Sequence, residues 1–479
     1  MKRLFFRYHK VFLVIFLFFI FLVYSFIAVS SHNHFLTFGW DLGFFDQIIW
    51  KVSRGIYPLS TLNKVNILAN HFSPILFLLA PLYWLYSSPK TLLITQAFVM
   101  VFTAYPLFFL AQKKIKSLLF SFSIVFSYLF FLGTQWSILN EFHEATFTPL
   151  FIVLIFYALE NNFNKLLFIV GIIGLLFTKE IFSLLLASIG LTIWFYFRKK
   201  KLGIFIFVFS IFFFFFLTSF LMPKISEKGV YQHEHLSSVA KSPYEFAIKT
   251  ITDPIFTLES LVTPFDKIKT LIISFLSFGF IPLFAPFGVL IPLLTQFLIR
   301  FLYTGPQYTA WLNVNHHAAP AAILFPIVCI YAAEKIVRLK KLREKNILII
   351  LSIILISTTV FQDILLKAPI HSIFKKSLYE TQEWMRNNDL ILEKIQETDA
   401  KIPIAAQNSL FPHLSQREKV YLLPEIKDAQ YLVVDLHDGP NKYAPLMYFQ
   451  MKDLVYNLLI SKKYSIYDQK GEAMILKLN

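Results

Sequence analysis

The chain carries an unbroken apolar run from Val11 to about Val29, preceded by Lys2, Arg3, Arg7, His9 and Lys10. At about 1.5 Å of rise per helical residue, such a run matches a hydrocarbon core of about 30 Å. Comparable runs recur at about residues 90–111, 117–133, 146–160, 165–178, 181–197, 202–222, 271–284, 286–302, 318–336 and 347–366. A bilayer core offers no water to the backbone, so each segment must satisfy its own N–H and C=O groups as a helix. The expectation is an α-helical polytopic membrane protein with about eleven transmembrane helices. Of the 479 residues 56% are hydrophobic and the mean hydropathy is +0.60, above the roughly 45–50% apolar content of soluble domains, so lipid is the main solvent.

Charge orients the helices. Only 15% of residues are charged, yet the net charge is +16, much of it in Lys113-Lys114-Ile115-Lys116, Arg198-Lys199-Lys200-Lys201 and Arg338-Leu339-Lys340-Lys341-Leu342-Arg343. Clusters separated by apolar runs follow the positive-inside rule and do not form the continuous basic face that nucleic acid needs. Eleven spans put all three clusters and the N-terminus in the cytoplasm. The segment His71–Tyr86 is apolar but short and carries Pro74 and Pro81. It is expected to lie on or dip into the membrane, since a full crossing there would turn the clusters outward. The first run is longer than the 7–15 apolar residues of a signal peptide and reads as an uncleaved anchor, with cleavage near Ala28-Val29-Ser30 as the competing reading. The single Cys329 excludes an intrachain disulfide.

In this topology the external face receives a long first loop (31–89), the loops 134–145, 223–270 and 303–317, and the tail from about residue 367. The transmembrane domain spans 1–366. Residues 367–479 read as a small extracytoplasmic α/β domain, with a helix over Glu380–Glu397 and strands at Ile402–Ala406, Val420–Leu423, Tyr431–Asp435 and Met474–Leu478.

Several external segments bring ionisable groups to the membrane surface. Asp41 and Asp46 in Trp40-Asp41-Leu42-Gly43-Phe44-Phe45-Asp46-Gln47 are five apart, so on a helix they project about 140° from one another and cannot share one narrow face. Asn140-Glu141-Phe142-His143-Glu144 offers two carboxylates and an imidazole, a set suited to Mg²⁺ or Mn²⁺ or to helix capping. Lys179-Glu180, Arg300 and His316-His317 stand at span ends, where ionisable groups are functional candidates although snorkelling also accounts for them. His233-Glu234-His235 has metal-like spacing in a polar loop, and Asp435-Leu436-His437-Asp438-Gly439-Pro440 reads as a turn after a strand. There is no phosphate-binding loop, dinucleotide fingerprint, HExxH or GxSxG, so nucleotide hydrolysis has no support.

These segments, with Asn70-His71-Phe72-Ser73-Pro74, Ala80-Pro81-Leu82-Tyr83-Trp84, Asn315-His316-His317-Ala318-Ala319-Pro320, Ala406-Gln407-Asn408 and Pro412-His413-Leu414-Ser415, resemble the membrane proteins called domain of unknown function 2079. That family is in turn similar to the GT-C glycosyltransferase superfamily. The resemblance implies a polyprenyl-phosphate-linked sugar donor used on the extracytoplasmic face of the cell membrane, with a glycan, lipid or protein acceptor. It implies Asp41 as catalytic base with Asp46 in reserve, and Glu141, His143 and Glu144 at a divalent metal or the donor phosphate. Lys179, Arg300, His316 and His317 would bind the phosphate, and His71 and Glu180 would contact substrate or support the site. Two other classes compete. A transporter or flippase would need broken or charged helices near the midplane and often a repeat, and no clear repeat is present. A non-catalytic assembly protein would display the C-terminal domain and tolerate loss of Asp41.

Overall fold

The computed structural model describes residues 2–62, 64–231, 240, 242–302, 310–339, 343–439 and 442–479, for residues 2–7 as backbone only. A helix stands at each of the eleven expected positions. Tyr8–Asn33, Lys90–Ile115, Lys200–Ile225, His316–Leu339 and Glu344–Leu365 are long and apolar enough to cross a membrane. Leu118–Phe130 and Leu132–Leu139 make a further span if taken together across a 48° bend. The others are short: Thr148–Glu160 has 13 residues, Lys165–Thr178 and Phe182–Phe195 14 each, Asp266–Ser277 12 and Phe287–Phe301 15. At the helical rise these reach only about 18–23 Å, so extended or 3₁₀ backbone completes their path, as Ile281–Phe284 does after Asp266–Ser277. Such backbone is tolerated at membrane depth where protein surrounds it.

The helix Ala319–Leu339 forms the centre of the bundle. Every residue from Ala319 to Ala333 is buried, because a helix apolar on all sides must be packed on all sides. At the end of the bundle away from Asp41, Lys114 bridges Glu160 at 3.1 Å and Glu334 at 2.9 Å, with the Tyr331 hydroxyl donating to Glu160. This network ties three helices together beside the basic clusters.

The first long loop is structured. A π-helical turn, Gly39–Gly43, leads into the helix Phe44–Ser53, then a two-residue hairpin pairs β1 (Leu59–Ser60) with β2 (Val65–Asn66). The segment expected to lie on the membrane folds as a 3₁₀ helix, Pro74–Leu79, and a single turn, Leu82–Leu85. Trp84 and Leu85 are 71% and 86% exposed, as suits side chains that sit among lipid headgroups.

After the last span the chain builds a five-stranded sheet from β3 (Ile404–Ala406), β4 (Val420–Leu422), β5 (Tyr431–Asp435), β6 (Tyr464–Lys470) and β7 (Ala473–Leu478), in the order β4-β3-β5-β7-β6. β3 runs parallel to β4 and β5, and β7 is antiparallel to both β5 and β6. Ile404 and Ala406 face the helix Glu383–Gln396, whereas Ala405 faces the opposite layer, which includes Met451 and Val455 of the helix Tyr448–Ile460. β6 and the helix Tyr448–Ile460 go beyond the sequence reading. β6 reads Tyr-Ser-Ile-Tyr-Asp-Gln-Lys and is mostly exposed at the sheet edge, so it lacks the apolar alternation of a half-buried strand.

Phe35 and Leu62 of the first loop enter the core of this α/β unit. Polar contacts reinforce the join. The Gln47 amide donates to the Arg417 carbonyl at 3.2 Å, and the Thr61 hydroxyl donates to the Val420 carbonyl at 2.5 Å.

Candidate functional site

Asp41 sits in the middle of the π-helical turn. The Glu141 carboxylate accepts from the backbone N–H of Phe38 at 2.8 Å and of Leu42 at 3.2 Å, and so holds the turn from the bundle side. From the other side the Asn408 side-chain oxygen accepts from Gly39 N–H at 2.9 Å. Glycine leaves room for Phe411 at both ends of this turn. A Cβ on Gly43 would lie 2.5 Å from Phe411 Cδ1, and one on Gly39 3.1 Å from Phe411 Cγ. Glu141 takes a left-handed conformation at φ 63°, a strain of about 1–2 kcal/mol that its two backbone hydrogen bonds offset.

Asp41 itself is half-buried, and among the described residues its carboxylate makes no hydrogen bond. Burial raises its pKa, His143 and Lys179 oppose the shift, and the charge of Glu144 adds to it. Burial likewise holds Glu141 well above the usual carboxylate range, helped by Asp41 and opposed by the two backbone donors. The two acids therefore titrate as an interacting pair.

Beside them lies a second group. Glu144 is fully buried, with one oxygen 2.8 Å from His143 Nδ1 and the other 3.4 Å from Lys179 Nζ. The Lys179 ammonium supplies the charge that faces the carboxylate. Burial would raise its pKa, but His143 and Lys179 outweigh it and keep Glu144 ionised far below the usual range. The His143 ring stacks on His316 with centroids 3.3 Å apart, and His317 follows at 4.1 Å from His316. Burial lowers the pKa of His143 against the pull of Glu144. Gln96 organises the loop that carries these groups: its amide nitrogen donates to the Glu141 carbonyl at 2.5 Å and its oxygen accepts from His143 N–H at 2.9 Å.

The other expected site residues have different surroundings. Asp46 points away from Asp41 and joins the first loop to the α/β unit, accepting from Tyr83 at 2.5 Å, Ser415 at 2.6 Å and Gln416 at 3.2 Å. Glu180 accepts from Phe72 N–H at 2.9 Å and the Tyr231 hydroxyl at 3.1 Å and lies 3.1 Å from His71 Nδ1, which pins the far end of the first loop. Arg300 donates to the carbonyls of Ala310, Trp311 and Leu312 and to the Asn313 side chain, so it shapes the loop that delivers His316 and His317. Only its Nη1 is buried without a partner among the described residues. Lys179 and Arg300 both lie within electrostatic reach of His317.

The carboxylates of Glu141 and Glu144 face different partners. Glu141 is turned to the backbone of residues 38–42 and Glu144 is already faced by Lys179 and His143. Among the described residues no three His, Cys, Asp or Glu side chains are disposed to hold a metal ion. His233-Glu234-His235 lies outside the described residues.

Residues 31–470 match the model of the family of predicted membrane proteins called DUF2079. The chain belongs to this family. Its fold is the one that the ArnT structures show. The structure of ArnT from Cupriavidus metallidurans bound to undecaprenyl phosphate superposes with a TM-score of 0.56 over 97% of each chain at 10% sequence identity. The apo form of the same protein gives 0.54 over 98% of each chain at 9% identity. No curated protein has significant sequence similarity to the chain. In this DUF2079 protein, Gln96 and Phe411 carry no signal as single residues, because their roles arise only from contacts between distant segments. Asn408 and Ser415 lie in tail segments that already resemble the family.

Proposed function

We propose that this protein is a membrane glycosyltransferase that takes a sugar from a polyprenyl-phosphate carrier, with Asp41 as general base. The observation that carries this reading is the state of Asp41: a half-buried carboxylate that makes no hydrogen bond among the described residues, within electrostatic reach of His143 and Lys179, on a turn held from both sides. A raised pKa brings a carboxylate closer to the range in which it can take a proton from an alcohol. The likeness to a structure bound to undecaprenyl phosphate supports a lipid-phosphate donor.

In this mechanism the acceptor hydroxyl gives its proton to Asp41 as its oxygen attacks the anomeric carbon. The bond from that carbon to the phosphate oxygen breaks, and the electron pair leaves with the lipid phosphate. Lys179 stabilises the departing charge, its ammonium held in place by Glu144, while His316 and His317 supply neutral N–H donors beside it. The face that bears Asp41 is extracytoplasmic, a reading supported by the basic clusters at the opposite end of the bundle.

The test uses the protein in nanodiscs with polyprenyl-phosphate sugars and candidate acceptors, following release of lipid phosphate. Release that falls by at least about 10²-fold in Asp41→Asn is expected for a general base. Turnover unchanged in Asp41→Asn would remove the assignment. Labelling of Lys401→Cys only from outside cells, and of Lys199→Cys only from inside, is expected of the orientation.

A further inference from the structure

The loop between the spans Lys200–Ile225 and Asp266–Ser277 contains two short helices, Pro243–Thr252 and Pro254–Val262. Each is capped by its own sequence. Ser242 accepts from Glu245 N–H and Asp253 accepts from Phe256 N–H, so the chain ends one helix and begins the next at Asp253-Pro254. The Thr257 hydroxyl donates to the Thr250 carbonyl at 2.7 Å and fixes the bend between them.

Large apolar side chains recur along one face of both helices: Tyr244, Ile248 and Ile251, then Ile255, Leu258 and Val262. The spacing of three and four residues is that of an amphipathic helix. All six side chains are exposed, Ile251 at 80% and Ile255 at 70%. The helices have 10 and 9 residues, too few to cross a membrane. Three contacts place this pair at the Asp41 end of the bundle and against its lipid-facing wall. Lys267 donates to the carbonyls of Ser260 and Phe301, which joins the second helix to the end of the helix that carries Arg300. The Tyr244 ring meets Phe215 with centroids 6.4 Å apart. Phe216 and Phe220 of that same span, and Ile272 and Leu298 of the neighbouring helices, are exposed, so the apolar face continues the band that the spans present to acyl chains.

We propose that Pro243–Thr252 and Pro254–Val262 form a hairpin that lies in the membrane–water boundary, on the side of the Asp41 site, with its apolar face in the acyl chains of that leaflet. An exposed row of this size has no stable place in water, and continuity with the lipid-facing band identifies the occupant as bilayer. The hairpin is tied through Lys267 to the Arg300 helix. It does not depend on the chemistry assigned to Asp41.

The test is nitroxide labelling of Ile251→Cys, Ile255→Cys and Leu258→Cys in nanodiscs. Cys329 is buried in the bundle, so labels report the introduced thiols. Phe212→Cys on the lipid-facing wall and Lys401→Cys on the α/β unit serve as references. The expected result is stronger relaxation by oxygen than by an aqueous nickel chelate at all three hairpin positions, as at residue 212. Relaxation in the pattern of residue 401, protection from both reagents, or dipolar broadening from a second copy would each overturn the proposal.

Discussion

Asp41 and Asp46 are five residues apart, both acidic and both in the first long loop, yet their surroundings separate them. Asp46 is fully buried among three hydroxyl and amide donors, and burial lifts its pKa to about 6 from the usual 3.8. Between those values the folded protein binds more protons than the unfolded chain, so the stability that this carboxyl contributes is present at pH 4 and falls until about pH 6, by about 3 kcal/mol. Thermal unfolding from pH 4 to 7 checks this: the loss of Tm across that interval is expected to be smaller in Asp46→Asn than in the wild type by the share that Asp46 contributes. Lys179 makes a different case. Its removal in Lys179→Met leaves the Glu144 carboxylate buried against a poorly basic imidazole, at a cost of about 3–5 kcal/mol. Lys179→Met combined with Glu144→Gln is expected to regain much of that stability, which a double-mutant cycle by denaturant unfolding measures.

The π-helical turn Gly39–Gly43 is an element that no local signal specifies. It exists because Glu141, Asn408 and Phe411 press on it from two sides. Gly43→Ala would drive a methyl group into the Phe411 ring. Overpacking of this kind costs about 1–3 kcal/mol, and a smaller residue in Phe411→Leu is expected to relieve part of it. Unfolding midpoints of the two single variants and the double variant test this, with less-than-additive loss as the expected outcome. The transmembrane helices contrast with the turn. Their positions follow from apolar runs that each helix satisfies internally, so a helix at each of the eleven positions was legible, of which five, or six with the bent pair, are long and apolar enough to cross a membrane. The helix Tyr448–Ile460 and strand β6 were not, since a mostly exposed edge strand has little apolar pattern to read.

At the scale of the whole molecule, the α/β unit and the first loop share one core and one set of hydrogen bonds, and the Asp41 turn lies where they meet the bundle. Deleting residues 376–479 is therefore expected to abolish the proposed sugar transfer with the bundle still inserted, because Gly39 loses Asn408 and Gly43 loses Phe411. Lipid-phosphate release from the truncated protein in nanodiscs measures this outcome. An assembly protein that merely displays the α/β unit would also lose function on truncation, but it would tolerate Asp41→Asn.

The sequence alone determined that the chain is a bundle of membrane helices, that an α/β unit follows it, and that Asp41, Glu141, His143, Glu144 and Lys179 stand at span ends or in loops rather than within the apolar runs. Those properties are local: apolar length and charge placement act on each segment separately. Tertiary structure decided which of these groups is free. Glu141 accepts from a loop about a hundred residues earlier, Asp46 is taken by a tail about 370 residues later, and Arg300 is bound to its own loop. A carboxylate is available for chemistry only when no donor occupies it, and the donors here come from chain segments that meet only after the bundle and the tail have packed.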